Sequence, residues 1–264
     1  MSRLIAVTGK GGVGKTTVCA LLIKRLLAAG KSPVLAIDAD PNSCLDAALG
    51  VCVTDTVGRA REDVRDSARA GGVGASANVN MSKRELLRLK LESALVEAKG
   101  FDLIAMGRPE GEGCYCYANN ILKEVIIEIS SQYPWVVLDN EAGLENLSRR
   151  IVQKVDLMVL VSDASNAGLQ TLLRLHELAG EMGISYGKLA LVINKLRGAP
   201  LPEAARLPDR TEEIREKTRA NIVIGLPDDD EVAGFAETSR SFLEIPDSNP
   251  VYTTVEELLI NPVF

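Results

Sequence analysis

The chain has 264 residues, 46% hydrophobic and 25% charged, with a formal net charge of -6. That balance belongs to a folded globular protein and excludes a disordered one. The acidic charge argues against non-specific binding to nucleic acid or anionic lipid, and no apolar run is long enough to span a bilayer. The N-terminus, MSRLIAVTGK, enters a strand and a Gly-rich turn directly, unlike a signal peptide, so the expected compartment is the cytoplasm. Thiols stay reduced there, and closely spaced cysteines read as metal ligands or redox groups in preference to structural disulfides.

Short β-branched runs alternate with longer helical patterns along the chain. RLIAVTG (Arg3–Gly9) reads as a buried strand, brief, apolar and ended by glycine. KTTVCALLIKRLLAAGK follows as a helix, with Gly30 as its C-terminal stop. Ser32–Asp40 is the next strand. The stretch from Thr56 to Leu87 is polar and charged, and rich in Gly, Ser and Ala around Gly71–Asn80. It reads as a helix plus a surface excursion over about residues 58–95. Further strands follow at Phe101–Gly107, Tyr133–Gly143, Val155–Asp163, Gly187–Lys195 and Asn221–Pro227. Helical patterns fill Asn166–Met182 and Asp209–Arg219. Continuous apolar strands alternating with helices predict a mostly parallel, doubly wound α/β sheet covered on both faces. The whole chain, residues 1–264, reads as one domain of this kind.

GKGGVGKTT fits G-x-x-x-x-G-K-[ST] from Gly9 to Thr16, between a predicted strand and a predicted helix. Gly9, Lys10, Gly11, Gly12, Val13, Gly14, Lys15, Thr16 and Thr17 then form a phosphate loop. Its glycines let backbone N–H groups turn toward phosphate oxygens at the N-terminus of the following helix. Lys15 would reach the β- and γ-phosphates of ATP or ADP, and the Thr16 hydroxyl would ligate Mg²⁺. In IDADPN, Asp38 and Asp40 stand at the C-terminal end of a strand, where ligands bind in open α/β sheets. Asp38 would hold Mg²⁺ through water. Asp40 would orient the attacking water, or else form an Asx turn before Pro41. WVVLDNEAG closes an apolar strand on Asp139, a further Mg²⁺ candidate, and Gly143 would let the following loop respond to the γ-phosphate. Asn194 and Lys195 of VINK, and Leu226, Pro227, Asp228 and Asp229 of GLPDDDEV, are candidates for the base.

Lys10, the second residue of the motif, marks a resemblance to the deviant Walker A ATPases, the group of the nitrogenase iron protein, the Min and Par ATPases and the arsenite-pump ATPases. The resemblance implies a P-loop NTPase fold of the nitrogenase iron protein-like type and base recognition at the Asn194 and Pro227 stretches. It also implies a nucleotide-sandwiched homodimer in which Lys10 reaches the partner's phosphates. MGRPEGEGCYCYANN, with Cys114 and Cys116, and DNEAGLENLSRR (Asp139–Arg150) further resemble the CooC-type ATPases. These are the nickel-insertion accessory proteins of carbon monoxide dehydrogenase and the related acetyl-CoA synthase maturation factors. That resemblance implies an ATP-dependent metallochaperone with Ni²⁺ as cargo and such a nickel enzyme as client; Zn²⁺ would suit the same thiolates.

In an extended backbone residues i and i+2 face the same side, so both thiols can meet one ion. Two ligands do not complete a tetrahedral site. His176, the only histidine, lies far along the chain, and Cys19, Cys44 and Cys52 read as core or surface residues. A second subunit would supply the missing pair, giving one four-cysteine site on the dimer axis, built from the metal-binding loops, residues 107–120, of two chains. Two incidental thiols or a strained local disulfide are the plainer alternatives. Two other functions stay open: an electron-transfer ATPase with a subunit-bridging iron–sulfur cluster, and a Min- or Par-type positioning ATPase. The end of the chain, TTVEELLINPVF, is acidic and short, unlike a basic amphipathic membrane helix. Neither nucleic acid nor membrane is an expected partner.

Overall fold

The computed structural model describes residues 2–40, 44–59, 83–107, 124–142, 154–197 and 207–260. The described strands are β1 (Arg3–Gly9), β2 (Val34–Asp38), β3 (Val96–Ala98), β4 (Phe101–Ala105), β5 (Trp135–Ala142), β6 (Lys154–Asp163), β7 (Ser185–Leu196) and β8 (Ile222–Pro227). They form one eight-stranded sheet in the order β3-β4-β2-β5-β1-β6-β7-β8. Every pair is parallel except β3 with β4. The antiparallel edge strand was not among the sequence expectations. It is three residues long, too short to carry an alternation signal, and it returns into β4 through a tight turn ending at Gly100.

Eight helices recur among the described residues: α1 (Lys15–Ala28), α2 (Leu45–Leu49), α3 (Lys83–Ser93), α4 (Asn166–Glu181), α5 (Arg210–Thr218), α6 (Asp230–Glu237), α7 (Pro250–Val255) and α8 (Glu257–Ile260). A further helical run covers residues 124–130. Of the expected surface excursion, α3 is described and residues 60–82 are not.

Two apolar layers sandwich the sheet. One packs α1 and the C-terminal helices α6 to α8 against alternate strand residues, including Ile5, Val7, Val34, Ala36, Trp135 and Val137. The other packs α3 to α5 against the intervening ones, including Ala6, Leu35, Ile37, Val136 and Leu138. Successive side chains of a strand point to opposite faces, so this parity decides what the strand ends present. Continuing it, Asp38 and Asp139 both fall on the α1 face. Helix α1 is held there by Leu21, Leu22, Ile23 and Leu26, each no more than 1% exposed. Fully burying such a side chain stabilises by about 1.5–3 kcal/mol. The phosphate-loop helix is thus locked to the strands that carry the two carboxylates.

Candidate nucleotide and Mg²⁺ site

β1 is central in the sheet, flanked by β5 and β6. Its C-terminal end leads into the Gly-rich loop, which enters α1 at Gly14, the N-cap residue, with φ 96° and ψ 25°. A Cβ at Gly14 would stand 2.3 Å from Asn194 Nδ2, so both the backbone conformation and the space require glycine. The first turn of α1 has no acidic residue and no side-chain cap. No side chain of that turn therefore occupies the positive helix end in place of an anion. Lys10 is exposed, and Lys15 is buried with its Nζ donating to the Lys10 carbonyl at 3.3 Å.

Below the loop, Thr16 Oγ1 donates to Asp139 Oδ2 at 2.6 Å. Asp139 is 1% exposed, and its Oδ1 has no well-formed hydrogen bond, although the Cys19 thiol is near enough to act on the carboxylate. Asp38 sits beside it, with Oδ1 accepting from the Asp40 amide and Oδ2 from the Leu45 amide, both at 3.0 Å. Burial raises the Asp139 pKa to about 7. The hydrogen bond from Thr16 opposes that rise, Asp38 reinforces it and Lys15 offsets part of it. Burial also raises Asp38 to about 6, against the two backbone hydrogen bonds it accepts. A buried pair of carboxylates pushed toward neutrality, one with an orphaned oxygen, beside a threonine hydroxyl, is a hard oxygen donor set of the kind that suits Mg²⁺. The residues present fit that ion.

Other candidate residues have fixed places. Val13 is buried and Thr17 half-buried, and Asp40 is half-buried just beyond β2. Asn194, expected to offer its amide to a base, makes one hydrogen bond within the protein at each end of that amide, which leaves a second N–H and a second lone pair. Nδ2 donates to Val13 O at 2.8 Å and Oδ1 accepts from Lys195 N at 2.9 Å. Lys195 Nζ donates to Gly12 O at 3.0 Å. Leu226 is in the core, and Asp229 caps α6 by accepting from Val232 N at 2.9 Å. Pro227 is half-buried and Asp228 exposed, paired with Arg197 at 3.4 Å. The loop after β8 is thus held mainly by structural bonds. Cys114, Cys116 and Gly143 lie outside the described residues. Two further residues lie near the site: Cys19, read from sequence as a core or surface residue, and Asn140, which the sequence reading did not single out. Cys19 stands three residues after Thr16 on α1, fully buried against Asp139. Asn140 is fully buried, with neither amide atom hydrogen-bonded among the described residues. The burial of Cys19 agrees with its reading as a core residue, and no local pattern signals Asn140.

A mostly parallel sheet whose first strand runs into a phosphate loop, with acidic strand ends alongside, defines the P-loop nucleotide-binding class. Within it, the chain belongs to the CobQ/CobB/MinD/ParA nucleotide binding domain family, which matches residues 4–242. It is 41% identical to an uncharacterized ATP-binding protein of Methanocaldococcus jannaschii, over 99% of this chain and 100% of that protein. It is 31% identical to the carbon monoxide dehydrogenase accessory protein CooC of Rhodospirillum rubrum, over 73% of this chain and 74% of that protein. Among solved structures, the ParA family ATPase from Chlorobium tepidum TLS matches with a TM-score of 0.70 at 17% identity, covering 98% of each chain. At that identity the likeness speaks for the fold alone.

Proposed function

We propose that this chain is a Mg²⁺-dependent ATPase that works as a homodimer and assists nickel insertion into carbon monoxide dehydrogenase or acetyl-CoA synthase. The observation that carries this reading is the 31% identity with CooC across about three quarters of both proteins. Cys114 and Cys116, one residue apart, which would bind the metal cargo between two copies, support it.

In this reading the loop amides and Lys15 hold the β- and γ-phosphates of ATP. Thr16, Asp38 and Asp139 hold Mg²⁺, which when bound neutralises phosphate charge. Asp40 orients a water whose oxygen bonds to the γ-phosphorus. The bond from that phosphorus to the β–γ bridging oxygen breaks, and ADP and inorganic phosphate leave. Lys10 acts across the dimer on the partner's phosphates. No arginine follows the loop closely in sequence to compensate transition-state charge, so turnover without a client is slow.

Phosphate release from ATP tests the enzymatic half. Lys15→Ala should lose nucleotide binding, whereas Asp40→Ala should bind ATP and not turn it over. Wild-type turnover in Asp40→Ala would remove the role given to that residue. Activation of a nickel-free client by this chain with Ni²⁺ and ATP tests the other half. ATP-dependent co-sedimentation with DNA or vesicles, without client activation, would favour a Par- or Min-type role.

A further inference from the structure

Asn194 and Lys195 tie two consecutive carbonyls of the phosphate loop to the end of β7. The bonds run from Asn194 Nδ2 to Val13 O at 2.8 Å and from Lys195 Nζ to Gly12 O at 3.0 Å. Asn194 Oδ1 accepts from Lys195 N at 2.9 Å, which fixes one residue of the pair against the other. The backbone here is irregular: the pairing of β7 with β8 shifts register between Ile193 and Leu196. Lys195 has φ 57°, in the left-handed region. The other non-glycine residues at positive φ among the described residues, Arg219 and Ser239, follow helix ends, where that conformation is ordinary. Lys195 holds it inside a strand, where glycine would carry no strain. A lysine kept in that conformation is explained by what its side chain reaches.

The geometry of the peptide unit gives the clamp its consequence. In a trans peptide the C=O and the following N–H point in opposite directions. Holding Gly12 O and Val13 O toward β7 therefore turns the N–H groups of Val13 and Gly14 away from it. The packing of Asn194 against Gly14, where even a Cβ would stand 2.3 Å from Nδ2, limits how far this peptide can rotate back. Asp163 supplies nearby counter-charge: its carboxyl is held low first by a hydrogen bond from Ser165 and also by Lys10 and Lys195.

We propose that Asn194 and Lys195 are positioning residues that preset the amides of Val13 and Gly14 for phosphate, and so govern phosphate affinity. The inference rests on reading the loop as a nucleotide site, and it gives these residues a task beside base recognition.

Calorimetric titration of the purified full chain with ADP, GDP and inorganic pyrophosphate, each with Mg²⁺, separates the possibilities. Lys195→Met should weaken all three by a similar factor, about threefold for an exposed bond, and Lys195→Arg should restore most of it. Asn194→Ala, which orphans a buried carbonyl, should weaken all three by about tenfold or more. Lys195→Gly removes the backbone strain, so it should unfold no more easily than wild type yet bind pyrophosphate as weakly as Lys195→Met. That combination distinguishes positioning from general support of the fold. Loss of ADP affinity with pyrophosphate unchanged would make the pair base readers and overturn the clamp, as would unchanged affinity for every ligand. Failure of the wild-type chain to bind any of the three would instead remove the nucleotide reading itself.

Discussion

Asp38, the last residue of β2, and Asp139, in the C-terminal half of β5, are register partners on neighbouring parallel strands. Neighbouring strands lie about 4.8 Å apart, so two carboxylates share one buried face beneath the phosphate loop. Their pKa values, raised to about 6 and about 7 mainly by burial, follow from that placement. Without a cation the native state holds protons here that the unfolded chain has already released. The stability linked to this pair is complete below the unfolded carboxylate pKa and is lost as pH rises through about 6 to 7. Denaturant titrations without Mg²⁺ should therefore show Asp139→Asn gaining on wild type between pH 4 and 8. A constant difference across that range would contradict the shifted pair.

The same substitution separates stability from ligand response. Asp139→Asn removes a buried charge and keeps an acceptor for Thr16, so at pH 8 the ligand-free protein should melt no lower than wild type. It should lose the extra rise in melting temperature that Mg²⁺ gives on top of ADP, because the carboxylate is gone. Thermal melts with ADP alone and with Mg²⁺ and ADP check both halves.

Gly107 stands at the entrance to the segment that carries the cysteines. Its φ is 65°, and a Cβ there would meet Thr56 Oγ1, Cβ and Cγ2 at 2.6, 2.7 and 2.9 Å. Gly107→Ala should cost about 1–3 kcal/mol in unfolding free energy. Adding Thr56→Ala should recover part of that loss and leave the backbone strain. Equal stability of wild type and Gly107→Ala would rule out this contact.

Lys10 is exposed while Lys15 is buried, which separates their expected effects. Lys10→Ala should bind ADP close to normally, because the loop amides and Lys15 remain. With a non-hydrolysable ATP analogue it should stay monomeric in sedimentation where wild type dimerises. A stable ATP-bound dimer of the variant would show that Lys10 does not act between subunits.

For Cys114 and Cys116 the sharp expectation is stoichiometry. Reduced, metal-free protein should bind one Ni²⁺ or Zn²⁺ per two chains, more weakly as pH falls and thiolates are protonated. Cys114→Ala with Cys116→Ala should abolish that binding and leave ATP affinity intact. One tightly bound ion per monomer, or undiminished binding in the double variant, would exclude a shared site.

The sequence by itself determined the phosphate loop, because its parts are contiguous: a strand end, glycines, Lys15, Thr16 and a helix start act within a few residues of one another. It also determined the mostly parallel sheet, because strands covered on both faces read as unbroken apolar runs. The tertiary structure decided which distant residues meet. Periodicity tells which side chains share a face of a strand, but it carries no information about which strand lies alongside. The pairing of Asp38 with Asp139, the bond from Thr16 to Asp139 and the raised carboxylate pKa values all depend on β2 and β5 being neighbours. The three-residue β3 is held by its pairing with β4, which no local pattern encodes. Asn194 and Lys195 were legible as belonging to the site. That they grip the loop's carbonyls was decided by the irregular end of β7, where side-chain reach and a positive φ turn them onto Gly12 and Val13.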